Sequence, residues 1–278
     1  MKKVIFMDVD GTLVNDNGVI PESAKIAIRK ARAKGHLVFL CTGRSKAELF
    51  PEILEVGFDG IIGAAGGYIE VGQEILLHER VKKGDVSHLV DFFNKHEIDF
   101  YLESNGGLYA SKNCKQHINT IIEKLLIDKP EAREEVEKGL QPFHDCLIDD
   151  EDLVRDDINK ISFLGSDLPI EIIRGEFESK FNVIPSTVPL FGKNSGELSV
   201  PGIHKATAIT KLLQHLKIDN EDTFAYGDGL NDLEMLEFVQ HGIAMGNAKE
   251  EVKKAADDIT DTHDNNGIYN SFKKYGLI

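Results

Sequence analysis

The chain has 278 residues, 28% charged and 41% hydrophobic, with 47 acidic against 32 basic side chains and a net charge of −15. That length implies about two domains or one large α/β domain, and the composition is that of an ordered globular chain. Strong net acidity without a basic cluster argues against nucleic acid or an anionic membrane as partner, but leaves a small anionic substrate open.

The longest apolar run is five residues, Leu37–Cys41, far short of the roughly 20 a lipid-spanning helix needs. The start, Met1 to Asp8, is too short and too soon acidic for a signal peptide. Three cysteines, Cys41, Cys114 and Cys146, form no CxxC pair and suggest neither a disulfide framework nor zinc. Together these features make the cytoplasm the expected location.

Lys3–Met7 reads as a first strand, ended by Asp8-Val9-Asp10-Gly11-Thr12. Leu13–Ile20 is hairpin-like, with Asp16-Asn17-Gly18 as its turn. Pro21 suits the first turn of a helix stopping at Gly35. Leu37–Cys41 fits a buried parallel strand, followed by Thr42-Gly43-Arg44 and by Ser45 as the cap of a helix burying Leu49, Phe50, Ile53 and Leu54. Strand and helix in alternation imply a parallel sheet covered on both faces.

The pattern then changes. Tyr68–Val71 and Glu74–Leu77 flank Gly72-Gln73 as a hairpin. From about Val81 to Val188 strands and helices mix as an inserted α+β unit, with strands at Phe100–Glu103, Leu108–Ser111 and Lys160–Leu164 and a helix at Ile170–Phe181. The acidic run Asp149–Asp157 reads as a solvated loop. Alternation resumes with a helix at Lys205–Leu216, a strand at Thr223–Tyr226, a short strand at Gly242–Met245 and a helix at Glu250–Ala256.

Asp8 and Asp10 stand two apart, so in an extended segment both carboxylates face one site at a strand's C-terminal end, where open α/β sheets bind ligands. An exposed turn would carry the same pair. Two such carboxylates repel unless a cation or a shared proton relieves them, and compact oxygen ligands suit Mg²⁺. Asp228 and Asp232 follow a second apolar strand in the turn Gly227-Asp228-Gly229-Leu230-Asn231-Asp232. If both strands are central in one parallel sheet, Asp228 reaches Asp8 and Asp10, and three converging acids make a metal site. Thr42 and Gly43 offer a hydroxyl and a backbone N–H to a phosphoryl oxygen. Lys205 opens a helix, where the dipole disfavours a cation unless an anion lies between; a solvent-exposed lysine is the plain alternative. His204 reads as surface. Gly63-Ala64-Ala65-Gly66-Gly67 lacks the spacing of a dinucleotide loop and precedes a strand. Asn247 reads as a cap for the helix after it.

Asp8-Val9-Asp10-Gly11-Thr12, Thr42-Gly43-Arg44, Lys205 and Gly227-Asp228-Gly229-Leu230-Asn231-Asp232, in this order, resemble the motifs of the haloacid dehalogenase superfamily of aspartate-nucleophile phosphatases, in its Cof-type branch with an α/β (C2B-like) cap. The resemblance spans essentially the whole chain. It implies an α/β fold: a Rossmann-like parallel-sheet core with a β-hairpin flap, residues 1–82 and 190–278, and an inserted α+β cap, residues 83–189. It also implies a Mg²⁺-dependent phosphatase acting on small phosphorylated metabolites, sugar phosphates first. Asp8 is then the nucleophile and Asp10 the general acid and base. Mg²⁺ is held by Asp8, the Asp10 backbone carbonyl and Asp228. The phosphoryl group is held by Val9, Thr42, Gly43, Lys205 and Asn231, and Asp232 supports Lys205 or the metal shell. A sugar phosphomutase and a non-catalytic sugar-phosphate sensor are the alternatives. Two positions depart from the branch pattern: Ala65-Gly66 replaces Asn-Gly, and Ala206 replaces the glycine after the motif lysine.

Overall fold

The computed structural model describes residues 2–16, 18–149, 152–186 and 188–278. They form two compact units. One holds Met1–Arg44, Leu49–His78 and Ile203–Ile278, the other Ser45–Glu48 and Glu79–Gly202.

The first unit begins with β1 (Val4–Met7), four apolar residues buried on both faces, as a central parallel strand must be. Helix α1 (Glu22–Ala33) starts at Pro21 and buries Ala24, Ala27, Ile28 and Ala31, a stripe at helical spacing. Gly35, at φ +90°, turns the chain into β2 (Leu37–Cys41). Then come α2 (Pro51–Leu54), β3 (Gly60–Gly63), β4 (Tyr68–Val71) and β5 (Glu74–His78). The expected helix from Ser45 is shorter. Pro51 sets its start, Phe50 occupies the cap position, and a single 3₁₀ turn fills Lys46–Glu48. The expected hairpin at Leu13–Ile20 pairs no strands among the described residues; Asn17 lies outside them. A turn does close there, with Gly18 N–H on the Asn15 carbonyl and Asn15 N–H on that of Val19.

The second unit contains α3 (Lys83–Lys95), β6 (Phe100–Ser104), β7 (Leu108–Ala110), α4 (Cys114–Asp128), α5 (Arg133–Glu135), α6 (Gln141–Cys146), β8 (Leu147–Asp149), β9 (Ile158–Phe163), α7 (Ile170–Phe177), β10 (Asn182–Pro185) and β11 (Gly196–Ser199). Its sheet order is β10-β11-β9-β6-β7-β8, antiparallel except for the β7–β8 pair. One face is apolar: Phe100, Leu102, Ile161 and Phe163 pack with Phe93 of α3 and Phe177 of α7. The opposite face carries Glu103, whose Oε1 accepts from Ser162, and Lys160, which bridges Glu103 and Glu197 at 3.4 and 2.9 Å. Burial pushes the Glu103 carboxyl above its usual range despite Lys160. In the acidic run, Asp150 and Glu151 lie outside the described residues, Asp152 and Asp156 are exposed, and Asp157 accepts from Arg155 and Ser104.

The first unit is completed by α8 (Lys205–Leu216), β12 (Thr223–Gly227), α9 (Leu233–Phe238), β13 (His241–Ala244), α10 (Glu250–Ala255), β14 (Asp258–Ile259) and α11 (Gly267–Lys274). Its sheet runs β14-β13-β12-β1-β2-β3-β4-β5, parallel except where β4 and β5 turn back as a hairpin. Alternate strand residues feed two cores. Ile5, Met7, Val38 and Leu40 pack with α1 and α11, whereas Val4, Phe6, Phe39 and Cys41 pack with α8 and α9.

Ala64 and Ala65 have φ of 50° and 53°, in the left-handed region, where a Cβ is crowded. Their N–H groups bind the carbonyls of Arg44 and Thr42 at 2.7 and 3.0 Å. The glycine-rich stretch thus ties down the loop after β2. Asn tolerates this conformation better than Ala, so Ala65→Asn is expected to stabilise the protein by about 0.5–1 kcal/mol. A urea midpoint shifted upward at unchanged slope would show it; no shift or a lower midpoint would refute it.

Candidate active site

β1 lies between β2 and β12, and Met7 pairs in register with Tyr226. The residues that follow, Asp8 and Asp228, therefore emerge side by side at the carboxyl ends of neighbouring parallel strands. Asp8 continues the ladder, its N–H on the Tyr226 carbonyl at 3.0 Å. Oxygens of Asp8, Asp228 and Asp232 all lie within 4.8 Å of one another.

Lys205 reaches this cluster from the first residue of α8. Its side chain is 1% exposed, and its Nζ donates to Asp8 Oδ1 at 2.6 Å and Asp232 Oδ1 at 2.5 Å. Burial opposes the ammonium charge, but Asp232 and Asp8 outweigh it and hold the lysine above its ordinary range. The anion expected near this helix start is thus supplied by two side chains of the protein. Burial also lifts the Asp8 carboxyl, as does repulsion from Asp232, and Lys205 draws it back only in part. The neighbouring Cys41 thiol is pushed up by its burial and stays neutral.

Asp232 is committed to the loop. Its Oδ2 accepts from the N–H groups of Asp228 and Gly229 at 3.0 and 2.9 Å, while Oδ1 takes Lys205. A Cβ at Gly227 would sit 2.6 Å from the Asp232 side chain, so only glycine permits this closure. Asp228 is held by the Thr12 hydroxyl at 2.9 Å, and Gly11, at φ +75°, lies where a Cβ would collide with the Asp228 carboxylate. Burial raises the Asp228 carboxyl to about 6. Among the described residues, three carboxyl groups and one ammonium meet in a largely buried site. A divalent, oxygen-seeking cation fits that donor set. Asp8 and Asp228 are its apt ligands, since Asp232 already has partners on both oxygens.

Asp10 does not share this cluster through its side chain. The chain turns at Val9, whose carbonyl accepts from the N–H groups of Leu13 and Val14, so the alternation of an extended strand ends there. Val9 itself is fully buried. The Asp10 carboxylate is 62% exposed and forms a two-pronged pair with Arg44, Nε to Oδ2 at 2.9 Å and Nη2 to Oδ1 at 2.6 Å. Thr42 is buried, and its Oγ1 accepts from the Arg44 N–H at 3.1 Å. Asn231 is exposed, its amide near Gly43. His204 is half-buried, with Nδ1 3.5 Å from Glu234.

Asn247 departs from the expected capping role: Lys249 occupies the cap position of α10. The Asn247 amide donates to the Gly11 carbonyl at 2.7 Å, and its oxygen accepts from His263 N–H at 3.3 Å. It pins the loop that follows the first acid pair. Thr12 and Arg44 stand inside the motifs read from the sequence, which gave neither a role; they hold Asp228 and Asp10.

Residues 5–272 match the family of haloacid dehalogenase-like hydrolases. YkrA of Bacillus subtilis is 30% identical over 99% of this chain and 98% of its own length. The 5-amino-6-(5-phospho-D-ribitylamino)uracil phosphatase YcsE of the same organism is 28% identical, covering 99% and 96%. The solved structure of BT4131, a sugar phosphatase of haloacid dehalogenase subclass IIB, superposes with a TM-score of 0.75 at 25% identity, covering both chains fully.

A carboxyl raised from about 4 when unfolded to about 6 when folded costs nothing at low pH and costs more as it ionises. In chelator, stability should therefore fall as pH rises from about 4 to about 6, by up to about 3 kcal/mol from Asp228. Asp228→Asn keeps the shape and should flatten that fall in urea melts across the window. An equally steep fall in the variant would contradict the assignment.

Proposed function

The chain belongs to the haloacid dehalogenase-like hydrolase family, and within it we propose a Mg²⁺-dependent phosphomonoesterase that works through an aspartyl-phosphate. The observation that carries this reading is the largely buried acid cluster Asp8, Asp228 and Asp232, with the Lys205 ammonium bonded to Asp8 and Asp232. Such a site is poised for a cation, and that cation together with Lys205 would receive the negative charge of a phosphoryl group, because phosphoryl transfer needs positioning and charge neutralisation above all.

Mg²⁺ would be held by the Asp8 carboxylate, the Asp10 backbone carbonyl and Asp228, and when bound would neutralise charge on the phosphoryl oxygens. Asp8 attacks phosphorus as the ester P–O bond breaks. Asp10 gives its proton to the leaving oxygen, then takes one from the water that hydrolyses the aspartyl-phosphate. Thr42 Oγ1, the N–H groups of Val9 and Gly43, Lys205 and the Asn231 amide orient the phosphoryl oxygens. Asp232 keeps Lys205 aimed at Asp8. We read residues 83–189 as a C2B-like cap inserted into a core of 1–82 and 190–278, which selects the leaving group. YcsE and BT4131 are named for a ribityl phosphate and for sugar phosphates. Both are esters of polyhydroxylated carbon chains, and we place the substrate in that class, sugar phosphates first. A cytoplasmic setting accords with such metabolites; no described helix is long and apolar enough to cross a membrane.

Hydrolysis of p-nitrophenyl phosphate and of a sugar-phosphate panel tests the reading. EDTA should abolish turnover and Mg²⁺ restore it, and Asp8→Asn should lower kcat by more than about 100-fold with the fold intact by circular dichroism. Full turnover in chelator, or an active Asp8→Asn variant, would overturn it.

Asp10→Asn separates the acid from the ligand. Mg²⁺ binding, read calorimetrically, should persist because the contact is through the backbone. Phosphoenzyme formation in a single turnover should slow by about 10²- to 10⁴-fold with a sugar phosphate and far less with p-nitrophenyl phosphate, whose leaving group needs no proton. Equal slowing with both substrates would remove Asp10 from the role of acid.

A further inference from the structure

Lys3, just ahead of β1, is tied to the segments on either side of it. Its carbonyl accepts from Leu37 N–H at 2.9 Å, its ammonium pairs with Asp222 at 2.6 Å, and its own N–H donates to His36 Nδ1 at 3.0 Å. The last bond fixes the state of a titratable ring. A backbone N–H only donates, so Nδ1 must present its lone pair, and the imidazole is neutral with its proton on Nε2. A proton arriving on Nδ1 would set two N–H groups against each other.

The surroundings favour the neutral ring. His36 is half-buried in the turn from α1 to β2, its own N–H on the Ala31 carbonyl at 3.2 Å. Burial disfavours charge on the imidazole, and so do the positive charges of Lys34, just past α1, of the α-amino group and of Lys3 on the facing segment; together they hold the ring below its ordinary range. The Asp222 carboxylate at this corner is already engaged by the Lys3 ammonium.

We infer that His36 is an acid-sensitive tie at the amino-terminal end of the parallel sheet. Neutral, it accepts the Lys3 N–H and joins the α1–β2 turn to the start of β1. Protonated, it releases that N–H, and the segment ahead of β1 loosens while Val4–Met7 stay paired. Above about pH 6.5, the ordinary value for histidine, folded and unfolded rings are both neutral and the tie contributes in full. As pH falls below that, the unfolded ring takes up its proton first, and stability is lost until the folded ring is protonated too.

Nitrogen-15 NMR of the full chain reads the tautomer at the ring and the bond at the Lys3 amide. At about pH 7.5 His36 should carry its proton on Nε2. Between about pH 7.5 and about pH 5 the Lys3 amide and the His36 ring signals should move with one shared midpoint, below the ordinary histidine value. Over the same range Lys3 amide exchange, corrected for its intrinsic pH dependence, should lose about two- to tenfold in protection, the range one hydrogen bond supports. His36→Gln offers an oxygen acceptor that does not titrate, so its Lys3 amide should stay still across the window. The wild-type urea midpoint should fall relative to that of His36→Gln on acidification; Asp228 contributes equally to both and cancels. A proton on Nδ1 at about pH 7.5, a Lys3 amide that does not follow the ring, or a midpoint difference unchanged by pH would overturn the inference. If His36→Gln fails to fold by circular dichroism, the wild-type tautomer and titration decide by the first two criteria.

Discussion

Lys205 sits at the start of a helix, where the backbone dipole disfavours it, in a place water hardly reaches. Such a cation persists only with carboxylates in direct contact, and Asp8 and Asp232 supply them. That requirement organises much of the first unit. It brings the start of α8 onto the ends of β1 and β12, and it fixes one oxygen of Asp232. The other oxygen folds the Asp228–Gly229 loop back on itself, which leaves Asp228 to Thr12 and to whatever cation joins the cluster. Gly11 and Gly227 are present because the carboxylates come closer to the backbone than any side chain would allow. The excess of negative charge is thus part of the architecture.

The parallel sheet was legible because its strands are continuous apolar runs, and a strand buried on both faces has no other composition open to it. Asp8, Asp228, Lys205 and Asp232 were legible because strand ends and a helix start are places that local pattern can locate. What escaped depends on partners far away in sequence. Asp10 was expected to face the same way as Asp8, which assumes an extended chain; the turn at Val9 and the pull of Arg44, 34 residues on, send its carboxylate elsewhere. Asn247 looks like a helix cap to any short window, yet its amide meets Gly11, 236 residues away. Ser45 looked like a cap as well, and its hydroxyl instead accepts from Asn159 and lies near Glu103, a bond that local spacing could not disclose.

The second unit shows the same division. The apolar face of its sheet follows from alternation along β6 and β9. The opposite face, with Glu103, Lys160, Ser162 and Glu197 satisfying one another, needs the pairing of β9 with both β6 and β11 before any of its contacts exists. Alternating residues announce that a face is polar. Only register decides which charge meets which.

Strand order carries a consequence for how the protein is made. One of the two neighbours of β1 is β12, which is synthesised roughly 220 positions later. At about 5–20 residues per second a nascent chain would wait some tens of seconds for that partner. Glu79–Gly202, by contrast, is a continuous stretch whose strands pair among themselves, and it can complete its sheet before the segment from Ile203 on has been made. During that interval β1 presents one unpaired edge of apolar backbone. The segment from Ile203 on both closes that edge and delivers Lys205, Asp228 and Asp232 to Asp8. Completion of the fold and assembly of the site are therefore a single late event, and a chain cut short before β12 has neither.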